Sequence, residues 1–234
     1  MASISHSPHA LHEPSEPALL PLENGDHLDQ KTFHARYEAM PEDFRAELIG
    51  GIVYVAGRSR RSGSRARVQL LCWLLNYTEA IPGIEAHHYA TTILNHQSEV
   101  HPAASLLIVA PGQGQTRDED EYIVGAPELA AEVAASSASI DLHAKRREYE
   151  REGVKEYLVV QLQPFRVHWF VSRQGRFEAL APGPDGILRS EVFPGLWLDP
   201  AALERLDGQA LRAALQQGLT TPGHAAFVAR LRGQ

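Results

Sequence analysis

The chain has 234 residues, of which 44% are hydrophobic and 22% charged, and its formal net charge is −7. This composition is close to the globular average and excludes a wholly disordered chain, a collagen-like repeat and a disulfide-stapled miniature. The longest apolar run, residues 68–77, is about half the length that a membrane-spanning helix needs, so no membrane segment is predicted. The only cysteine, Cys72, lies in that run, is predicted to be buried, and suits a reducing cytoplasm.

Most of the net negative charge lies at the beginning of the chain. Residues 1–30 contain five acidic residues and no Lys or Arg, so the net charge of the remaining residues is only −2. The same segment contains four prolines and shows no apolar periodicity, which predicts a disordered extension over residues 1–30. The body of the chain is nearly neutral and stays compatible with a nucleic-acid partner.

The first half of the chain is predicted to form short alternating elements. In chain order these are a helix, an interrupted strand, a longer helix, two strands and a polar loop: residues 32–40, 46–55, 62–79, 87–94, 105–109 and 111–121. Gly50 and Gly51 predict a turn or bulge inside the first strand. The longer helix has apolar residues at i, i+3, i+4 and i+7, which predict one buried face. That face consists of Val68, Leu71, Cys72 and Leu75.

The second half begins with an ambiguous segment, residues 127–135, whose alanines and glutamates favour a helix by propensity. A helix, three strands, an extended segment and C-terminal helices follow: residues 140–152, 156–162, 166–172, 176–179, 187–198, 200–219 and 221–232. Gly153 is predicted to end the first of these helices. The alternation of strands and helices without long structureless loops predicts a mixed α/β domain.

Arginines cluster at the predicted start of the helix over residues 62–79, where five stand within ten residues: Arg58, Arg60, Arg61, Arg65 and Arg67. The helix macrodipole disfavours cations at this end. A bound phosphate would relieve the conflict, because helix N–H groups and arginine side chains both suit phosphate. The predicted nucleic-acid-binding residues are Arg58, Arg60, Arg61 and Arg65. The alternative is a solvated charged loop with local acidic partners.

Two glutamates and one lysine are candidates for chemistry. Glu47 and Glu132 each stand inside an apolar run, where a buried carboxylate needs a cation, a metal or a raised pKa. A glutamate on a helix surface is the alternative for Glu132. Lys145 borders the predicted buried stripe of the helix over residues 140–152, but Arg146 is almost as well placed. A lysine that only extends along the surface is the alternative there.

Several segments together resemble the Uma2 family of restriction-endonuclease-like proteins, which belongs to the PD-(D/E)XK superfamily. The segments are RAELIGGIVYV at residues 45–55, VHP at 100–102, GAPELAAEVAASS at 125–137, DLHAK at 141–145, GVKEYLVV at 153–160 and FPGLWLD at 193–199. The resemblance extends over residues 32–205. It is the combination of segments, in this order, that is specific to the family.

The resemblance implies an α/β fold with a restriction-endonuclease-like core, in which helices flank a mixed β-sheet, and a C-terminal helical extension. It divides the chain into the extension over residues 1–30, a nuclease-like domain over 31–206 and helices over 207–234. It also makes the segment around Glu132 a central strand, against its helical propensity.

The resemblance assigns roles to individual residues. Glu132 and Glu47 become acidic residues of a catalytic site that holds Mg²⁺ or Mn²⁺, and Lys145 becomes the catalytic lysine, moved onto the following helix. The superfamily's metal-binding aspartate is expected at position 103, where this chain has Ala103. His101 points to the same side of an extended segment as Ala103 and is a candidate substitute ligand.

The expected function is therefore that of a metal-dependent DNA endonuclease homologue, impaired or inactive because Ala103 replaces the aspartate. The alternative is a non-catalytic module on the same fold that binds DNA or a protein. A purely structural homo-oligomer is a third interpretation. We expect a cytoplasmic protein with DNA as its partner and no membrane association. The oligomeric state stays open, with a homodimer among the alternatives.

Overall fold

The computed structural model describes residues 19–57, 60–79 and 81–233. Its helices are α1 (Gln30–Glu38), α2 (Arg61–Thr78), a π-helical segment (Ile140–Lys145) that continues into α3 (Arg146–Glu152), α4 (Pro200–Glu204), α5 (Gly208–Leu219) and α6 (Pro222–Leu231). Within the described ranges, none of these helices combines the length and the apolar character needed to cross a membrane.

Most strands form two six-stranded sheets. The strands are β1 (Ala46–Ile49), β2 (Ile52–Val55), β3 (Ile84–His87), β4 (Thr92–Asn95), β5 (Ser98–Val100), β6 (Ala104–Ile108), β7 (Arg117–Glu119), β8 (Tyr122–Val124), β9 (Leu129–Ala134), β10 (Glu156–Leu162), β11 (Phe165–Arg173), β12 (Arg176–Ala179), β13 (Leu188–Arg189) and β14 (Trp197–Leu198). The core sheet has the order β12-β11-β10-β9-β6-β3, and the outer sheet has the order β2-β1-β5-β4-β8-β7. Strands β13 and β14 pair separately.

Strand β9 lies inside the core sheet, parallel to β10 and antiparallel to β6. The crossover between the two parallel strands is the π-helical segment with α3. All six residues of β9 are buried, as expected for a strand that is covered on both faces. Pairing on both edges and burial on both faces outweigh the helical propensity of its alanines. The strand implied by the resemblance is therefore confirmed, and the helix favoured by propensity is wrong.

The hairpin of β1 and β2 confirms the turn predicted from the two glycines. Gly50 has φ +59° and Gly51 has φ +80°, so both turn residues adopt the left-handed conformation that tight hairpin turns require. The register places Ile49 opposite Ile52 and Glu47 opposite Tyr54. The turn therefore fixes where Glu47 stands on its strand.

Helix α2 forms as predicted, but it buries a different face. Its buried residues include Leu70, Trp73, Leu74 and Tyr77, which join the main hydrophobic core. Val68 is 57% exposed and Leu75 is 42% exposed, and Cys72 is exposed as well. The predicted burial of Val68, Cys72 and Leu75 is therefore wrong, whereas Leu71 is half-buried against the core. The helix carries two apolar stripes, and the one with the aromatic residues takes the core, where each aromatic residue donates a hydrogen bond to a backbone carbonyl.

The outer sheet contains strands that the sequence pattern did not separate. The predicted strand over residues 87–94 is divided between β3, in the core sheet, and β4, in the outer sheet. Tyr89 has φ +56° in the turn between them. The predicted loop over residues 111–121 contains β7, which pairs with β8. A short exposed strand without apolar alternation gives no periodic signal.

The segment that precedes α1 packs on the domain. Leu22 is buried in a small cluster with Phe33, Leu48 and Val53. His27 bridges to Ile52, so the chain runs beside β2 before α1 begins. The predicted disorder over residues 1–30 therefore does not hold for this part, because an apolar side chain there fills a site on the outer sheet. Residues 1–18 lie outside the described ranges.

After β9, the chain follows the prediction closely. Gly153 has φ +86° and ends α3 in the left-handed conformation. Strands β10, β11 and β12 match the three predicted strands. In the C-terminal helices, Leu211, Leu215 and Phe227 belong to the same hydrophobic core as α2. These helices therefore share the hydrophobic core that covers the core sheet.

Candidate active site

Three candidate residues from distant parts of the chain meet at one end of the core sheet. Glu47 stands on β1, Glu132 on β9, and Lys145 at the end of the π-helical segment. The Lys145 Nζ lies 2.6 Å from Glu132 Oε1 and 2.7 Å from Glu47 Oε1. The lysine therefore bridges the two carboxylates. Their convergence is observed, whereas their catalytic roles stay predictions.

The cluster is almost closed to solvent. Lys145 is 2% exposed and Glu132 is 7% exposed, whereas the side chain of Glu47 is 21% exposed and marks the open side. A buried ion pair is favourable only when its partners are close and hydrogen-bonded. Both conditions hold here, because the ammonium group donates to a carboxylate at a short distance.

Burial and charge change the pKa values of the cluster. Burial raises the pKa of Glu132 to about 8, although the positive charge of Lys145 opposes this increase. Burial alone would lower the pKa of Lys145, but the carboxylates of Glu132 and Glu47 outweigh it, so this pKa lies well above its ordinary value. The lysine therefore stays protonated at neutral pH. The negative charges of its two acidic neighbours stabilise this charged form.

Two further buried side chains, Tyr149 and Asp141, lie next to the cluster. The Tyr149 hydroxyl lies 3.5 Å from Glu132 Oε1, one helical turn after Lys145. Asp141 lies one turn before Lys145, where Ser137 Oγ donates a hydrogen bond of 2.6 Å to its carboxylate. Burial raises the pKa of Asp141, and Lys145 opposes this effect. The site thus holds three acids around a single lysine.

Ala103 occupies the position that faces Glu132. The antiparallel register pairs Ala104 with Ala131, and one further step places Ala103 opposite Glu132. The Ala103 backbone nitrogen lies 3.4 Å from Glu132 Oε2. The Ala103 backbone N–H therefore lies beside the Glu132 carboxylate, at the position where the resemblance expects the metal ligand.

His101 lies beside the cluster and is 6% exposed. Its backbone N–H donates to Glu47 Oε1 at 2.6 Å. Its ring packs between Tyr37, at a centroid distance of 5.2 Å, and Tyr89, at 6.4 Å. Among the described atoms, its Nε2 has no hydrogen-bond partner. Burial lowers the pKa of His101, which keeps the imidazole neutral at neutral pH.

These residues do not fit a divalent metal ion. Within the described ranges, no three His, Cys, Asp or Glu side chains are placed to hold one. Ala103 offers no ligand atom, and Lys145 already occupies an oxygen of both Glu47 and Glu132. Glu99, two residues before His101, is turned toward α1, where Gln30 Nε2 donates to it at 2.7 Å. A hard cation prefers several oxygen ligands, and this arrangement offers too few.

The arginine cluster begins helix α2, as predicted. Arg60 is the N-cap residue and Arg61 the first helical residue, and Arg65 lies one turn later. All three side chains are exposed, and none of them forms an ion pair within the part of the chain that the structure describes. Arg58, the fourth predicted residue, lies outside the described residues.

The start of α2 lies close to the end of β9. Gly63 is buried, and a β-carbon placed on it would lie 3.7 Å from the Ala135 Cβ. Ala135 follows Glu132 by three residues. The start of α2 therefore lies beside the end of the strand that carries Glu132.

The sequence did not identify two of the residues near the cluster as site residues. The Tyr89 ring stacks on the His101 ring at a centroid distance of 6.4 Å. Burial raises the pKa of Tyr89, the charges of Glu47 and Glu132 add to this increase, and Arg67 opposes it. No sequence pattern indicates Tyr89, because its placement depends on a turn with positive φ. The sequence could have indicated Tyr149, since it follows Lys145 by four residues on the same helix and so lies on the same side.

Comparison with known proteins agrees with this description. The model of the Uma2 family, described as "Putative restriction endonuclease", matches residues 32–201. Among solved structures, the chain is similar to a "putative nuclease belonging to DUF820" from Anabaena variabilis ATCC 29413, with a TM-score of 0.57 and 14% identity. The similarity covers 73% of this chain and 96% of the other. At this identity it shows the fold alone, and it confirms the predicted nuclease-like α/β fold. No curated protein matches the chain.

Proposed function

We propose that this chain, which belongs to the Uma2 family, is a DNA-binding endonuclease homologue whose phosphodiester hydrolysis is impaired. The observation that carries the proposal is Ala103 opposite Glu132, with Lys145 bridging Glu132 and Glu47. The chain keeps two acids and the lysine of the expected site and lacks the third acid. We place its action in the cytoplasm, where a single thiol stays reduced.

The impairment follows from the chemistry of phosphodiester hydrolysis. In metal-dependent nucleases the ion polarises the phosphoryl oxygen, activates water and stabilises the leaving oxygen. In this chain the positive charge beside the two carboxylates comes from Lys145 instead. An ammonium group donates hydrogen bonds to the acids and reduces their repulsion, but it cannot coordinate and activate a water molecule. The cluster therefore lacks the group that would activate water for hydrolysis.

DNA binding is supported by the arginine cluster. Arg60, Arg61 and Arg65 are exposed at the start of α2, which has no acidic residue in its first turn. A helix start exposes N–H groups that bind phosphate, and exposed arginines add charge. The start of α2 lies beside the end of the strand that carries Glu132. A phosphate backbone bound there would pass the carboxylate cluster.

The first test is the substitution Ala103→Asp. We expect this variant to bind Mn²⁺ in a calorimetric titration and to nick supercoiled DNA with Mg²⁺ or Mn²⁺, whereas the unsubstituted chain does neither at a measurable level. The added carboxylate at position 103 supplies the missing oxygen ligands. The matched control is Ala103→Asn, which has nearly the same shape without the charge.

Two outcomes would contradict this proposal. Metal-dependent cleavage by the unsubstituted chain would show that Ala103 does not impair the site. Absence of both Mn²⁺ binding and nicking in folded Ala103→Asp would favour the alternative, a non-catalytic module that binds DNA or a protein. The double variant Ala103→Asp with Glu132→Gln is expected to lose the restored nicking, because the second carboxylate is then absent.

The second test concerns DNA binding. Replacing Arg60, Arg61 and Arg65 with glutamine is expected to weaken DNA binding and to reduce the slope of log K against log salt by about 0.9 for each lost phosphate contact. Fluorescence anisotropy with a labelled duplex at several salt concentrations measures this slope. Arg166→Gln, an exposed arginine on β11, is the control and should leave the slope unchanged. An unchanged slope in the triple variant would exclude the cluster as the phosphate-binding surface.

A further inference from the structure

Helix α2 leaves a second apolar stripe on the surface of the molecule. We define the α2 stripe as Arg65, Val68, Cys72, Leu75 and Glu79, which follow one another at spacings of three and four residues. Its central residues are apolar and exposed: Val68 is 57% exposed, Leu75 is 42% exposed, and Cys72 lies between them. Alternating spacings of three and four are the pattern by which helices pair along a seam.

We propose that the α2 stripe binds the α2 stripe of a second copy of this chain, with the two helices antiparallel and the two-fold axis near Cys72. In such a pair the same surface serves both partners, as in most homodimers. Cys72 then lies opposite the partner's Cys72. Arg65 and Glu79 stand seven residues on either side of this centre.

The charges at the two ends of the stripe favour a second copy of this chain as the partner and an antiparallel orientation of the two helices. Arg65 lies at the N-terminal end and Glu79 at the C-terminal end, and both are exposed. Neither forms an ion pair within the described part of the chain. An antiparallel arrangement brings Arg65 against the partner's Glu79 twice, whereas a parallel arrangement would place like charges together. The stripe is therefore complementary to itself when reversed.

A groove beside the stripe supports the same arrangement. It measures about 160 Å³, lies between α2 and α5, and is lined in part by Cys72, Asn76, Leu211 and Arg212. In the proposed register the partner's Val68 stands level with Asn76, so its side chain faces this groove. Helix α5 would thus contribute to the contact beside the α2 seam.

The size of the contact sets the expected affinity. The stripe spans fourteen residue steps and is therefore about 21 Å long. A single helix pair of this length buries less than the roughly 800 Å² per partner of a standard interface. We therefore expect a dimer with a dissociation constant in the micromolar range.

Sedimentation velocity without nucleic acid tests the proposal over a range of protein concentrations. The chain should show reversible dimerisation, and Val68→Glu or Leu75→Glu should raise the dissociation constant by roughly tenfold or more, because each places a carboxylate in the apolar seam. Both positions are exposed, so the variants should keep the circular dichroism spectrum and melting temperature of the unsubstituted chain. Ala35→Glu, at an exposed position on α1, which packs against the outer sheet, is the matched control.

Charge exchange tests the antiparallel orientation. Arg65→Glu and Glu79→Arg should each weaken the dimer, and the double variant should restore it, because the exchanged charges again face each other. A short bifunctional maleimide should link the two Cys72 thiols, and Cys72→Ser should abolish the link. A chain that stays monomeric at about 100 µM, or a dimer that none of these substitutions affects, would overturn the proposal.

Discussion

Replacing Lys145 with methionine is expected to lower the free energy of unfolding by about 3–5 kcal/mol. The lysine is 2% exposed and lies within 2.7 Å of both Glu132 and Glu47. Methionine has a similar length and fills the space, so the cavity left behind is small. The loss of stability therefore measures the contribution of the lysine charge, since the two acids remain together without the ammonium group between them.

Urea unfolding of matched variants separates this effect from a general loss of packing. Lys155→Met removes the same charge from an exposed position and is expected to change the free energy by less than about 0.5 kcal/mol. Adding Glu132→Gln to Lys145→Met should recover part of the lost stability, because one of the two acids is then neutral. Equal effects of Lys145→Met and Lys155→Met would show that Lys145 is not held in the buried cluster.

Local signals in the sequence were sufficient for some parts of the fold. Gly50 and Gly51 defined the β1–β2 hairpin, and Gly153 defined the end of α3, because each position requires a backbone conformation that glycine tolerates best. The arginine cluster was correctly placed at the start of α2, since the helical periodicity begins there. These features depend only on neighbouring residues.

Features that depend on distant parts of the chain could not be predicted from local pattern. The six buried residues of β9 read as a helix by propensity, and their strand pairing depends on β6 and β10. Helix α2 has two apolar stripes, and the choice between them depends on contacts with α5 and with the core-sheet strands β3, β6 and β9. Resemblance to a family resolved the first ambiguity, but it did not resolve the second.

The placement of Lys145 could be predicted only in part from the local sequence. Helical spacing placed Lys145 and Arg146 almost equally close to the buried side. In the structure Lys145 enters the acid cluster, whereas the Arg146 guanidinium lies 4.3 Å from the centre of the Phe170 ring. A π-helical segment ends at Lys145 and shifts the helical register, so a regular helical wheel cannot distinguish the two.

A second expected result is that Glu132 makes the protein less stable as the pH rises. Burial raises the pKa of Glu132 to about 8 in the folded chain, from an ordinary value of 4.5. Between these two values the unfolded chain has released the proton, whereas the folded chain still holds it within the hydrogen-bonded pair of Lys145 and Glu132. Fewer protons are then bound in the unfolded state, so the free energy of unfolding falls with increasing pH, by up to about 1.4 kcal/mol per pH unit.

The substitution Glu132→Gln isolates this contribution. Other buried acids, including Glu128, Asp141 and Glu156, also have pKa values raised by burial, so the total pH dependence of the chain is a sum over several groups. Subtracting the stability of the glutamine variant at each pH removes the contributions that the two proteins share. We expect the variant to become more stable relative to the unsubstituted chain from pH 5 to pH 8 in urea unfolding. A difference that stays constant over this interval would show that the Glu132 carboxylate ionises normally, and that Lys145 fully offsets its burial.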